Sequence, residues 1–147
     1  MAAIAEGSSG RVTIVFIGFM AAGKSTAAHV LAERLGVAAH DSDEIVAQAA
    51  GMTVAEIFER EGEASFRQRE ESAVLSLLES DAQVVAVGGG AIESARVREA
   101  LALHLPVWCE IDEPTAWERA SADDHTRPLT ADRFEFSRRF AERAPRY

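Results

Sequence analysis

The 147-residue chain carries 15 Lys and Arg against 24 Asp and Glu, a formal net charge of -9, and 48% of its residues are hydrophobic. That length and apolar fraction suit one compact domain with its own core and leave no room for a second, while the acidic balance repels nucleic acid and anionic membranes and leaves any bound anion to local cationic clusters. No run approaches the roughly 20 consecutive apolar residues that span a bilayer, and the single Cys109 excludes an internal disulfide, so a cytoplasmic monomer is the expectation.

Residues 1–10 are small and polar, end in Ser8-Ser9-Gly10 and lack the basic start of a secretory signal; they are expected to be a flexible leader ahead of a domain over 11–147. Val12-Thr13-Ile14-Val15-Phe16-Ile17 is β-branched and nearly all apolar, the pattern of a strand buried on both faces of a parallel sheet. Gly18-Phe19-Met20-Ala21-Ala22-Gly23-Lys24-Ser25-Thr26 follows with the spacing of a phosphate-binding loop. Ala27, Val30, Leu31 and Leu35 then recur at helical spacing, and Gly36 supplies a C-terminal stop.

The chemistry of such a loop explains its residue types. Wrapping phosphate requires successive backbone N–H groups to point inward, which favours Gly18 and Gly23, and the next helix presents the positive end of its dipole. Lys24 reaches the β- and γ-phosphates of a nucleoside triphosphate, and the Ser25 hydroxyl ligates Mg²⁺. A plain glycine turn before an ordinary helix is the bland alternative, and both flanks argue against it.

Further along, a short strand is expected near 37–40, helices near 43–50, 53–60 and 63–79, and a strand at 84–87. Helix 94–103, strand 106–111, helix 114–120, a polar stretch at 121–132 and a final helix ending before Pro145 complete the order. Strands alternating with helices predict an α/β fold around a parallel sheet. Thr53 and Glu56 have capping-box spacing. Asp41-Ser42-Asp43 falls at the carboxyl end of the second strand, where such folds place ligands, although Asp41 or Ser42 also suits a helix cap. Cys109, Trp108 and Trp117 read as packing residues, and His29, His40, His104 and His125 lack metal-ligand spacing.

Six strings in order carry a resemblance: Gly18 to Thr26, Asp41 to Asp43, Phe66-Arg67 with Glu70, Gly88-Gly89-Gly90, Arg127-Pro128-Leu129, and Arg143-Ala144-Pro145-Arg146-Tyr147. Together they resemble the shikimate kinase family from about Val12 to the last residue. The resemblance implies a nucleoside-monophosphate-kinase-like P-loop fold, a parallel sheet flanked by helices, and transfer of phosphate from ATP to the 3-hydroxyl of shikimate in chorismate and aromatic amino acid synthesis. It implies ATP phosphates on Ala21, Ala22, Gly23, Lys24, Ser25 and Thr26, and Mg²⁺ on Ser25 with Asp41 holding a metal-bound water. Shikimate would lie in a region of about 41–70, against Asp43, Arg67 and Gly88, Gly89 and Gly90, with Arg143 closing it. Arg127 would fold in with a lid over about 121–132 to touch phosphate, making Lys24, Asp43 and Arg127 the catalytic set.

Those roles also make sense residue by residue. Two guanidinium groups, Arg67 and Arg143, grip a carboxylate by charge-assisted hydrogen bonds. Asp43 orients or deprotonates the attacking hydroxyl, and Gly89 lets the backbone approach a ligand. Arg119 has two readings, nucleotide contact or a helix-face ion pair, and stands outside the expected site.

Two departures from the family pattern stand out. Ala21 occupies a loop position that is often glycine, where a methyl fits if φ is negative. Family members also continue past the tyrosine into a fifth strand, an adenine-contacting loop and a C-terminal helix, so that strand and helix are expected to be missing here. Two alternatives to an active shikimate kinase are a P-loop kinase for another small molecule, such as gluconate or a nucleoside monophosphate, and a catalytically silent nucleotide- or shikimate-binding module.

Overall fold

The computed structural model describes residues 10–122 and 132–147. Except for Gly10, the expected leader lies outside the described residues, as do Arg127 and the 123–131 part of the expected lid.

Among the described residues the four strands are β1 (Ile14–Ile17), β2 (Ala39–Asp41), β3 (Val84–Ala86) and β4 (Leu105–Trp108), and the α-helices are α1 (Lys24–Leu35), α2 (Ser42–Ala50), α3 (Val54–Glu79), α4 (Ala95–Leu101), α5 (Glu113–Ala122) and α6 (Arg133–Arg143). All strand pairs are parallel, in the order β2-β3-β1-β4. This is the α/β architecture expected, and it explains the apolar run at β1. Val15 and Ile17 enter a core with Val74, Leu77 and Val97, while Phe16 packs on the other face with Ala28 and Ala32 of α1. A strand covered by helices on both sides has no position for a polar residue.

Short-range chemistry sets most boundaries. Thr53 and Glu56 form the capping box at the start of α3, with bonds of 2.8 and 3.1 Å. Gly36 and Gly51 end α1 and α2 in the left-handed conformation. Within α3 the helix breaks at Gly62, whose φ of 84° and ψ of 170° separate the two helices expected at 53–60 and 63–79. The His104 Nδ1 accepts the Thr13 N–H at 3.2 Å and so completes the start of β1.

Some expectations need correction. The second strand begins two residues later than its apolar run and includes Asp41, because β2 pairs Asp41 with Ala86 of β3. The polar stretch is shorter than 121–132, since α5 runs through Ala122 and Asp132 already caps α6 by accepting the Phe134 N–H at 2.9 Å. Trp117 packs edge-on against Phe136 at 5.1 Å, but Trp108 is 47% exposed. Among the described residues β4 is an edge strand, paired with β1 alone, so its side chains are less covered than those of β1. Cys109, just beyond it, packs half-buried against the Phe16 cluster.

Candidate active site

The C-terminal ends of β1, β2 and β3 open into one cleft, where a parallel sheet gathers its ligand-binding loops. The cleft has a volume of about 650 Å³, and it is lined by Met20, Ala21 and Gly23 to Thr26 at one end and by Arg67, Glu70, Gly88–Gly90 and Arg143 at the other.

The phosphate loop is held from both sides. Gly18 sits at φ 143°, and a Cβ there would fall 2.5 Å from the Cys109 carbonyl oxygen, so only glycine permits this approach to the end of β4. Ala22 donates its N–H to the Phe19 carbonyl at 3.2 Å, closing a turn that contains Ala21. Ala21 has φ 64°, not the negative value its methyl group called for. That conformation costs a non-glycine residue roughly 1–2 kcal/mol. Phe19, 2% exposed, is wedged against Phe136 and Phe140 at 5.2 and 5.0 Å, which ties the loop to α6. Lys24 folds back over the loop and donates to the Phe19 carbonyl at 2.8 Å.

Across the cleft, the Ser25 hydroxyl donates to Asp41 Oδ2 while Asp41 Oδ1 accepts the Asp43 N–H at 2.9 Å. Asp41 is therefore both the cap of α2 and the neighbour of Ser25. A hydroxyl beside a carboxylate is an all-oxygen donor set that fits Mg²⁺, which takes few protein ligands and completes its shell with water and phosphate. Asp43 Oδ1 is shielded from solvent without a hydrogen-bond partner. Burial pushes its carboxyl up to about 7, with Glu70 and Asp41 adding to the rise and Lys24 and Arg67 opposing it.

The other end is built on the triple glycine after β3. Ser42, fully buried, accepts the Gly88 N–H at 3.0 Å and pins the turn to α2. A Cβ at Gly90 would lie 2.2 Å from Arg67 Nη1, so this glycine makes room for the guanidinium. At Gly89 the constraint is milder: a Cβ would stand 3.2 Å from the Met20 N, and the Gly89 carbonyl accepts from Tyr147 Oη at 2.5 Å. Arg67 donates to Glu70 Oε2 at 2.6 Å, and Arg143, 1% exposed, donates to Glu93 Oε2 at 3.3 Å. The Nε of each arginine has no hydrogen-bond partner. Buried guanidinium donors left open beside a cleft are costly unless an anion completes them.

Among the expected site residues, Ala21, Gly23, Lys24, Ser25, Thr26, Asp41, Asp43, Arg67, Gly88, Gly89, Gly90 and Arg143 line this one cleft. Ala22 is in the loop turn but not on the cleft wall, and Arg127 lies outside the described residues. Several wall residues had no assigned role beforehand. Glu70 is 1% exposed and held above the usual carboxylate range, chiefly by burial and against the pull of Arg67; its place three residues after Arg67 was the available signal. Phe58 and Phe66, with rings 4.7 Å apart, form an apolar wall. Arg119 reaches the cleft and donates to the Ala21 carbonyl at 3.4 Å. Local sequence offered Ser42 as a helix cap and not as the partner of Gly88.

Comparison with known proteins adds to this geometry. The family model described as shikimate kinase matches residues 20–147. A shikimate kinase of Ruegeria pomeroyi is 44% identical over 82% of this chain and 63% of its own length. One of Mesorhizobium japonicum is 40% identical over 96% of this chain and 71% of its own length. Among solved structures, the Acinetobacter baumannii shikimate kinase in complex with shikimate superposes with a TM-score of 0.86 at 35% identity, covering 93% of this chain and 78% of that one. The Aquifex aeolicus shikimate kinase gives 0.78 at 32% identity, covering 91% and 80%. The chain thus spans about two thirds of the length of these curated relatives, and within that span it belongs to the shikimate kinase family.

Proposed function

We propose that the protein transfers the γ-phosphoryl group of ATP to the 3-hydroxyl of shikimate. The observation that carries this reading is the cleft that joins a phosphate loop to two arginines, with Asp43 on the same wall. Shikimate has a carboxylate at one end of its ring and hydroxyls at the other, and this arrangement meets both. Arg67 and Arg143 take the carboxylate, and Asp43 accepts from the ring hydroxyls. The triple glycine Gly88–Gly90 lets the ring lie close to the backbone. The domain is read as 11–147, with substrate bound mainly by the 41–70 region and covered by the segment containing Arg127.

In the reaction the 3-hydroxyl oxygen attacks the γ-phosphorus, the bond to the β-phosphate oxygen breaks, and ADP leaves. The hydroxyl proton passes to Asp43, whose carboxyl near 7 is matched to a proton acceptor at neutral pH. Ser25 and Asp41 would hold Mg²⁺, which supplies charge neutralisation at the phosphates. Lys24 leaves the Phe19 carbonyl to pair with phosphate, and backbone N–H groups from Ala21 to Thr26 hold the remaining oxygens. The apolar wall of Phe58 and Phe66 keeps water from the transferring group.

A coupled ADP-release assay tests the reading. Shikimate should support turnover, whereas gluconate should not, and the methyl ester of shikimate should bind far more weakly because it cannot engage both arginines. ADP release that is independent of shikimate, or equal with gluconate, would falsify it.

A further inference from the structure

Arg67 stands among three carboxylates: Glu70 Oε2 at 2.6 Å from Nη1, with Glu63 Oε1 at 3.7 Å and Glu93 Oε2 at 3.9 Å from Nε. Of the two near Nε, Glu63 is the closer, and Nε is the donor without a hydrogen-bond partner. Glu63 restarts α3 after the break at Gly62, four residues before Arg67. On a helix face that spacing brings an acid and a guanidinium together by default.

What holds Glu63 back is a residue from another helix. Arg139 of α6 donates from Nη1 and Nη2 to both Glu63 oxygens, at 2.6 and 2.8 Å, and from Nε to Glu135 at 2.8 Å. A fork of two short charge-assisted bonds captures a carboxylate more firmly than one loose contact. The Arg139 side chain is 15% exposed and that of Glu63 36%, so solvent and salt screen the pair only in part. These bonds are the main reason that the Glu63 carboxyl is held below the usual range, and it stays ionised and bound to Arg139 near neutral pH.

We propose that Arg139 is a positioning residue that holds Glu63 at ion-pair distance from Arg67 and keeps it from hydrogen-bonding there, so that the Arg67 guanidinium is left to pair with a ligand carboxylate. This rests on the reading of Arg67 as an anchor for the substrate carboxylate. Without Arg139, Glu63 closes the gap to Arg67, and an internal carboxylate neutralises the guanidinium that the substrate needs.

The test is a cycle of Arg139→Gln, Glu63→Gln and the double variant, with shikimate and ATP titrated separately by calorimetry. R139Q should weaken shikimate about tenfold, the scale of one hydrogen bond to a charged group, and leave ATP within about twofold. The double variant should recover to within about twofold of E63Q, because removing Glu63 adds no contact and helps only by freeing Arg67. Wild-type affinity in R139Q, or a double variant as weak as R139Q, overturns the proposal. Should R139Q fail to fold, Arg139→Lys keeps the charge but loses the fork; a few-fold weakening reversed by E63Q supports the proposal, and no weakening overturns it. If the wild-type chain binds no shikimate, the reading of the site fails, and the crystal structure of R139Q or R139K decides the role of Arg139. Glu63 within hydrogen-bond distance of Arg67 Nε supports it, and Glu63 left in place overturns it.

Discussion

The carboxylates of Asp43 and Glu70 meet over Gly88: a Cβ on that glycine would stand 2.7 Å from Asp43 Oδ1 and 2.2 Å from Glu70 Oε1. Both oxygens are buried without a hydrogen-bond partner. The missing side chain is therefore what allows two acids from α2 and α3 to face the same point in the cleft.

Gly88→Ala should accordingly damage the site more than a single methyl suggests. The added carbon must displace Glu70, which is 1% exposed and bonded to Arg67, so a stability loss of about 1–3 kcal/mol is expected from overpacking. Shikimate affinity should fall with it, since Arg67 moves with Glu70. Denaturant unfolding and ligand titration of the variant check this; an unchanged midpoint with unchanged affinity would show that the glycine is there for another reason.

Asp43 should make stability and activity respond to pH in opposite directions. Its carboxyl rises from 3.8 to about 7 on folding, so between those values the folded chain holds a proton that the unfolded chain has released. Its contribution is therefore most favourable at low pH and is lost as pH rises through this window. Asp43→Asn abolishes that titration, so the variant should melt above the wild type at about pH 8, with the gap closing towards about pH 4. Turnover requires the ionised form, and wild-type kcat/KM should show an acid limb near 7. Thermal melts of both proteins across this range decide it, and a gap that widens on acidification would reverse the assignment.

Ala21→Gly should stabilise the protein. The residue adopts φ 64°, and replacing alanine by glycine in a left-handed position relieves about 1 kcal/mol, net of the extra freedom that glycine gives the unfolded chain. A rise of a few degrees in melting temperature is expected, on the order of 2–6 °C for a domain of this size. A fall would mean that the methyl contacts outweigh the backbone strain.

Lys24→Ala should reduce turnover by roughly two to three orders of magnitude, the scale of losing one preorganised donor to the transferring phosphate. The lysine already bridges the loop to the Phe19 carbonyl at 2.8 Å, so a small stability loss should accompany it. Shikimate affinity should hardly change. Steady-state kinetics beside a shikimate titration separate these effects, and wild-type turnover would remove Lys24 from the mechanism.

Much of this protein was legible from sequence alone. The β1 strand, the phosphate loop and the opening of α1 could be read directly, because a buried strand, a glycine turn and a helix start are each dictated by residues within a few positions of one another. The same holds for the Thr53–Glu56 capping box, and for the break between two helices that Gly62 makes in α3. The ordered motifs named Asp43, Arg67, Gly88–Gly90 and Arg143, and the tertiary structure gathers them along one cleft. What local pattern could not supply were the partners: Ser42 on Gly88, 46 residues apart, and Arg139 on Glu63, 76 residues apart. Nor could it supply the left-handed backbone of Ala21, the exposure of Trp108 at the edge of the sheet, or the burial that lifts Asp43. Backbone conformation and helix caps answer to near neighbours, whereas burial and pairing depend on which strands lie side by side. That order, β2-β3-β1-β4, exists only once the chain has folded.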